Sequence, residues 1–206
     1  MLELVQTQPS RRGSGEPALI ASLTQLVVRE HDINPNRVYV AGLSAGGAMA
    51  AIVALTYPDV FAAVGVHSGL PMGAANNVAE ALMLMKNGRA RLTTLSEKPN
   101  IGHPVPTIVF HGDSDITVHP SNGERVVESV LRSKAYSKES MQAASRFRTV
   151  EHGVSSHGRT YTSTTYTKNA GAPLVEHWVV HGAGQAWSGR LPSGSYTDES
   201  GPDASR

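Results

Sequence analysis

The chain has no cysteine among its 206 residues. Disulfides, thiol catalysis and cysteine-based zinc or iron–sulfur sites are therefore excluded. Charged residues make up only 17% of the sequence, the formal net charge is +1, and no basic cluster extends beyond Arg11-Arg12. This composition lacks the basic surface typical of nucleic-acid binding. No apolar run reaches the roughly 18 residues that a membrane-spanning helix needs, so neither nucleic acid nor membrane is a predicted partner.

Both ends of the sequence are unusual for a globular domain. Residues 1–12 lack the basic start, apolar stretch and small-residue cleavage site of a signal peptide. Near the other end, Gly201-Pro-Asp is typical of a helix start but is followed by only three residues, which suggests a cut end. A polar tail over 193–206 is an equally good interpretation. We expect one domain over 1–206, with flexible or cut ends at 1–13 and 193–206.

The body of the chain alternates between helix-like and strand-like segments. Strands are predicted at 37–41, 62–67, 105–111, 146–151, 160–167 and 174–180. Helices are predicted at about 14–31, 45–57, 76–86 and 121–138. The run at 105–111 is continuously apolar, as in a strand covered on both faces. This alternation predicts an α/β fold with a mainly parallel sheet.

The sequence Gly42-Leu-Ser44-Ala-Gly46 fits the pattern G-x-S-x-G and lies between a predicted strand and a predicted helix. An abrupt strand-to-helix turn strains the backbone at the serine and exposes its hydroxyl, and the flanking glycines relieve crowding. The helix N-terminus then directs backbone N–H groups, here that of Ala45, at a developing oxyanion. The alternative is a glycine-rich turn before a helix, without chemistry.

Two aspartates, Asp113 and Asp115, directly follow the most apolar predicted strand. A loop after a late strand is where folds with a serine nucleophile of this kind keep the catalytic acid. Asp115 is the better candidate, because the apolar Ile116 and Val118 beyond it would anchor that part of the loop. Taken alone, the aspartate pair would be ordinary turn chemistry.

A third segment, containing His181, Gln185 and Trp187, follows the last predicted strand. The stretches GLSAGGAMA, PTIVFHGDSDITVHP and EHWVVHGAGQAWSG occur in this order along the chain. Together they resemble the poly(3-hydroxybutyrate) depolymerase-like esterases of the α/β-hydrolase superfamily. The resemblance covers nearly all of residues 13–206.

The resemblance implies that position 185 is the place of the catalytic histidine, where this chain has Gln185. Glutamine cannot take a proton from Ser44. The resemblance also implies further strands ahead of the first helix, so the sheet is expected to lack its first strands and one source of an oxyanion N–H. One sheet edge would then be bare, which predicts either self-association through that edge or a marginally stable fold, unless residues 2–5 cover it.

Other side chains are secondary candidates for this site. His181 is either a substitute base or a residue that supports the loop through backbone hydrogen bonds. His67 and Trp187 are candidates for substrate binding, although both have packing as an alternative. His177 and His181 would share a strand face, but two histidines without carboxylate support do not predict a metal site.

The leading functional hypothesis is a serine-type carboxylic-ester hydrolase that acts through an acyl-enzyme on Ser44, with Asp115 as the acid. The resemblance implies polyester or short-chain acyl esters as substrates, no cofactor, and a secreted or periplasmic location. The alternative is a catalytically impaired homologue that binds a ligand or has lost its role. A nucleotide-binding domain is disfavoured, because the glycines at 42–47 do not have the G-x-G-x-x-G spacing.

Overall fold

The computed structural model describes residues 12–71, 78–88, 105–132, 147–167, 171, 173–189 and 194–205. Its helices are α1 (Gly15–Glu30), α2 (Ala45–Thr56), α3 (Val78–Asn87) and α4 (Ser121–Leu131), with a short 3-10 helix at Pro35–Arg37. Its strands are β1 (Tyr39–Leu43), β2 (Ala63–His67), β3 (Thr107–Gly112), β4 (Arg148–Val154), β5 (Thr160–Thr167), β6 (Pro173–Val180), β7 (Trp187–Ser188) and β8 (Thr197–Asp198).

Six of these strands form one sheet in the order β1-β2-β3-β6-β5-β4. The first four of this order are parallel, and β5 and β4 extend the sheet as an antiparallel hairpin. The prediction of an α/β fold with a mainly parallel sheet is confirmed. Because the carboxyl ends of parallel strands share one edge, the loops after β1, β2, β3 and β6 meet there.

Helices α2 and α4 pack against one face of the parallel strands. The buried cluster between them and the sheet consists of small and β-branched side chains: Ala50, Ala51, Ala54, Val64, Val66, Val105, Val109, Val126, Val127, Val130 and Val175. The small side chains of α2 let it lie close to the strands, since little volume separates the backbones. This packing fixes the N-terminus of α2, where Ser44 lies.

Helix α1 packs differently from what its sequence suggests. It contacts α2 through Ala21, which is buried with Val53 and Tyr57. Its larger apolar residues face outward instead, with Leu19 68% and Leu23 58% exposed. These apolar side chains of α1 therefore lie on the surface of the described part of the chain.

The ends of the chain are partly described. Residues 1–11 and 206, and with them the suggested cover by residues 2–5, lie outside the described residues. That 193–206 is a flexible or cut end stays a prediction, although residues 194–205 contact the rest of the described chain. There β8 pairs with β7, Asp198 binds Arg159 through a 3.0 Å ion pair, and the N–H of Ala204 donates to the carbonyl of Ser188.

None of the helices among the described residues is long and apolar enough to cross a membrane.

Candidate active site

Ser44 lies at the junction between β1 and α2, in a backbone conformation with φ 57° and ψ −120°. Positive φ is costly for a residue with a side chain, so the surrounding structure must hold it. The N–H of Ser44 donates to the carbonyl of His67 at 2.8 Å, and its carbonyl accepts from the N–H of Ala48 at 3.1 Å. Ala45 and Gly46, the first residues of α2, are exposed, and N–H groups in the first turn of a helix have no partner within that helix.

Gly42 is required by a close approach of two backbone segments. A Cβ atom at this position would lie 2.2 Å from the carbonyl carbon of Gly46, inside van der Waals contact. Gly46 itself has open space around its own Cβ position. The two glycines of the G-x-S-x-G pattern therefore have different roles, and only the first is needed for the turn to close.

We predict that Gly42→Ala lowers the free energy of unfolding by about 2–3 kcal/mol, because the new methyl group pushes the β1 end away from α2. Gly46→Ala is the matched control and should be neutral or slightly stabilising, since alanine favours helix over glycine. Urea unfolding of the two variants measures the difference. Equal effects of the two substitutions would contradict this reading of the turn.

Asp115 is 4% exposed and sits in the loop after β3. Its Oδ1 accepts the N–H groups of Thr117 at 2.9 Å and Val118 at 2.8 Å. Val118 is buried and anchors the loop as expected, whereas Ile116 is 96% exposed and does not. The other carboxylate oxygen, Oδ2, is buried without a hydrogen-bond partner among the described residues.

His111 lies beside Asp115, with 3.6 Å between its Nε2 and the unpartnered Oδ2. That nitrogen bonds the carbonyl of Val118 at 2.8 Å, so its proton is directed away from Asp115. Burial lowers the pKa of His111, which disfavours the charged form of the ring beside Asp115. The buried Oδ2 of Asp115 is therefore an acceptor without a donor among the described residues.

The loop over 181–189 rests directly on the loop that carries Asp115. The N–H of Ser114 donates to the carbonyl of Ala183 at 3.0 Å, and the N–H of Asp113 donates to that of Val180 at 3.1 Å. Gly112 permits this contact, because a Cβ there would lie 2.2 Å from the carbonyl oxygen of Ala183. Gln185 is half-buried in this loop.

Both ring nitrogens of His181 have partners away from Ser44. Its Nδ1 lies 2.9 Å from Oδ2 of Asp113, and its Nε2 lies 2.8 Å from the hydroxyl of Thr162. Partial burial raises the pKa of Asp113, but hydrogen bonds from His181, the N–H of Gly182 and Ser114 outweigh it and hold that pKa below its usual range. His181 thus fastens the start of the loop to Asp113.

His67 is 3% exposed, and burial lowers its pKa to about 3. Its ring stacks between Phe110, at a centroid distance of 5.7 Å, and Trp187, at 5.5 Å. Its Nε2 accepts the N–H of Ser188 at 3.1 Å. Trp187 is half-buried, and its indole N–H donates to the hydroxyl of Ser205 at 3.0 Å.

The sheet thus brings the loops that carry Ser44, Asp115 and Gln185 to the carboxyl ends of its parallel strands. His67 and Trp187 lie at the same end. The contacts of His181 with Asp113 and Thr162 were not predicted, because no sequence signal links residues so far apart. Among the residues that the structure describes, no group of three or more histidine, aspartate or glutamate side chains could hold a metal ion.

Comparison with known proteins identifies the family. The profile described as "Esterase PHB depolymerase" matches residues 7–152. The chain belongs to this family. The matched region includes Ser44 and Asp115 and ends before the loop that carries Gln185. Poly(3-hydroxyalkanoate) depolymerase C of Paucimonas lemoignei is 32% identical over 180 residues, which are 84% of this chain and 41% of that protein.

Acetylxylan esterase A of Emericella nidulans is 25% identical over 129 residues, covering 57% of this chain and 42% of that protein. The chain thus spans less than half the length of either relative. Among solved structures, an acetyl xylan esterase from Aspergillus awamori has a TM-score of 0.62 at 18% identity, covering 88% of this chain and 66% of that one. A PHB depolymerase complexed with an R3HB trimer has a TM-score of 0.53 at 22% identity, covering 80% and 47%. These similarities support the α/β-hydrolase fold.

Proposed function

We propose that this chain carries the site of a serine-type carboxylic-ester hydrolase with Ser44 as the nucleophile. The observation that supports it most is the strained backbone of Ser44 between β1 and α2, the geometry of a nucleophile elbow. In the proposed reaction, the hydroxyl oxygen of Ser44 attacks the ester carbonyl and its proton passes to a base. The base returns that proton to the departing alcohol, and water then hydrolyses the acyl-serine.

The remaining roles follow from the positions of the neighbouring groups. The N–H of Ala45 is proposed to stabilise the oxyanion, since it begins α2 beside the serine. The unpartnered Oδ2 of Asp115 is proposed to orient a base at position 185. Gln185 has no titratable nitrogen, so this chain has no base at position 185.

The proposed substrates are short-chain acyl esters and hydroxyalkanoate esters. The relatives named above include a poly(3-hydroxyalkanoate) depolymerase and acetylxylan esterases, which suggests small acyl groups. Trp187 is proposed to provide an apolar wall for the acyl group, because its half-buried ring lies in the same loop as Gln185. His67 is too buried for that role, and its ring contacts the loop instead.

Gln185 favours a second candidate function, in which the protein binds esters but does not hydrolyse them. To separate the two, we would measure p-nitrophenyl butyrate hydrolysis and 3-hydroxybutyrate oligomer binding by the folded chain and by the chain unfolded in urea. The hydrolase proposal expects a saturable rate above that of the unfolded chain, because binding and oxyanion donors alone give about 10³–10⁴-fold over water. Binding without any excess rate would favour the second candidate. If the folded chain does hydrolyse the ester and Ser44→Ala abolishes that rate, a group other than the side chain at position 185 acts as the base.

We also propose that two copies associate through β1, which is an edge strand among the described residues. The carbonyl of Val38 accepts the N–H of Ala62, just before β2, and the N–H of Ser44 donates to the carbonyl of His67. The alternating pattern therefore directs the N–H of Ala41 outward. An antiparallel pair of identical edges satisfies both copies with two-fold symmetry.

Ala41→Pro removes the outward N–H but leaves the bonds to β2 intact. We expect light scattering after size exclusion to show a dimer for the parent and a monomer for Ala41→Pro. Far-ultraviolet circular dichroism serves as the control for folding. A parent that is monomeric at every concentration, or a dimer that survives in Ala41→Pro, would contradict this proposal.

A further inference from the structure

His67 is the one described residue whose backbone bonds the Ser44 turn and whose side chain bonds the loop that carries Gln185. Its carbonyl accepts the N–H of Ser44 at 2.8 Å. Its ring Nε2 accepts the N–H of Ser188 at 3.1 Å, three residues beyond Gln185. The two parts of the proposed site are therefore joined through a single residue at the end of β2.

The ring of His67 is held in one orientation by the rings on either side of it. Phe110 and Trp187 stack on it at interplanar angles of 13° and 29°, which leaves the imidazole little freedom to rotate. Because Ser188 donates to Nε2, the ring proton resides on Nδ1, which lies 3.4 Å from the hydroxyl of Ser68. Burial lowers the pKa of His67 to about 3, so the ring stays neutral and keeps this acceptor available above that pH.

The other end of the same loop has its own anchor. Asp113 accepts from Nδ1 of His181 at 2.9 Å and from the N–H of Gly182 at 2.7 Å. Position 185 lies between this anchor and the bond from Ser188 to His67. The loop is thus fixed on both sides of position 185, but only the His67 anchor also bonds the nucleophile turn.

We propose that His67 is a positioning residue that sets the distance between the Ser44 hydroxyl and the side chain at position 185. The proposal rests on the ester-hydrolase function proposed above. Displacement of a catalytic group by about 1 Å can cost on the order of 100-fold in rate, so an anchor common to both loops has a large effect. If His67 only filled space, any ring of the same size would serve equally well.

Two substitutions distinguish the hydrogen bond between His67 and Ser188 from the packing of the His67 ring. His67→Phe keeps a ring that can stack between Phe110 and Trp187 but has no acceptor for Ser188. His67→Gln restores an acceptor with a similar reach. In the Gln185→His background, we expect His67→Phe to lower kcat by about 10–100-fold with little change in KM, and His67→Gln to recover most of this loss.

A second measurement needs no catalysis. Amide hydrogen exchange of the parent should show the N–H of Ser188 protected, that protection lost in His67→Phe, and retained in His67→Gln. Val53→Ala is the matched control, since it removes buried volume from the core cluster between α1 and α2 and should not selectively expose Ser188.

The rate measurement and the hydrogen-exchange measurement test the two proposals independently. If Gln185→His shows no hydrolysis, the ester-hydrolase proposal fails, and the exchange experiment alone decides whether His67 anchors the loop. If His67→Phe keeps the full kcat of Gln185→His, or if the Ser188 amide stays protected in His67→Phe, the positioning role is overturned.

Discussion

Gln185→His is expected to raise the rate of ester hydrolysis by on the order of 10³-fold or more. General acid–base catalysis by one positioned side chain contributes about 10²–10⁴-fold, and nucleophile and base act as a unit whose loss has cost about 10⁶-fold in a serine protease. Since the parent keeps the proposed nucleophile Ser44, the proposed acid Asp115 and the loop contacts, the single substitution supplies the base that the proposed reaction lacks.

The reason for this gain is the buried carboxylate oxygen of Asp115. Its Oδ2 has no hydrogen-bond partner among the described residues, while Oδ1 is held by two backbone N–H groups. An imidazole at position 185 would donate its Nδ1–H to this oxygen and present Nε2 to the hydroxyl of Ser44. The gain should appear as pH rises through the pKa of the new base and then level off, because only the neutral imidazole accepts the proton.

The controls for this prediction are Gln185→Asn and the Ser44→Ala Gln185→His double variant. Asparagine is an amide like glutamine, so Gln185→Asn should leave the parent rate unchanged. Adding Ser44→Ala to Gln185→His should remove the whole gain, because the imidazole then has no hydroxyl to deprotonate. Initial rates with p-nitrophenyl butyrate provide the measurement. A gain that survives Ser44→Ala would contradict the proposed nucleophile.

Acidification from pH 6.5 to pH 4 is expected to destabilise the fold strongly. Burial lowers the pKa of His67 to about 3 and that of His177 to about 4, so both rings stay neutral in the folded protein. In the unfolded chain they take up protons near their ordinary pKa of about 6.5. The unfolded state therefore binds more protons in this window, and stability is complete above about pH 6.5 and lost as the pH falls.

The size of this effect follows from the same linkage. At pH 4 each of the two histidines should cost about 3 kcal/mol, a large part of the stability of an ordinary domain. His111, whose pKa burial also lowers, acts in the same direction.

Urea unfolding at pH values between 4 and 8 tests this prediction. His67→Gln and His177→Gln should each flatten the dependence of the unfolding free energy on pH, because neither replacement titrates. Val53→Ala changes a buried residue without a titratable group and should leave the slope as it is in the parent. An unfolding free energy that stays constant between pH 6.5 and pH 4 would contradict the burial-based pKa values.

Much of the fold could be predicted because its buried strands are short apolar runs between amphipathic or alanine-rich segments. The predicted helix at 45–57 and strand at 62–67 match α2 and β2 to within one residue at each end. The G-x-S-x-G pattern located the turn at Ser44, since a positive φ next to a helix start needs small neighbours. The side of α4 that faces the sheet was also predictable from Val126, Val127 and Val130.

Other features depend on tertiary contacts that no local pattern encodes. The outward direction of Leu19 and Leu23 depends on what α1 packs against, and the two-residue strands β7 and β8 are too short to have a period. His181 is paired with Asp113 across 68 positions of sequence, so its orientation away from Ser44 could not be read from spacing. The burial of His67 likewise follows from Phe110 and Trp187 meeting around it.

The most direct test of the central claim is covalent labelling of Gln185→His with an alkyl fluorophosphonate. The serine oxygen displaces fluoride from phosphorus, and the base removes the serine proton. Intact-mass spectrometry should show one phosphonyl group per chain, located in the tryptic peptide 38–86 that contains Ser44. The account predicts rapid labelling of Gln185→His, far slower labelling of the parent, and none when Ser44→Ala is added. Absence of labelling in Gln185→His, or labelling that persists with Ser44→Ala, would contradict it.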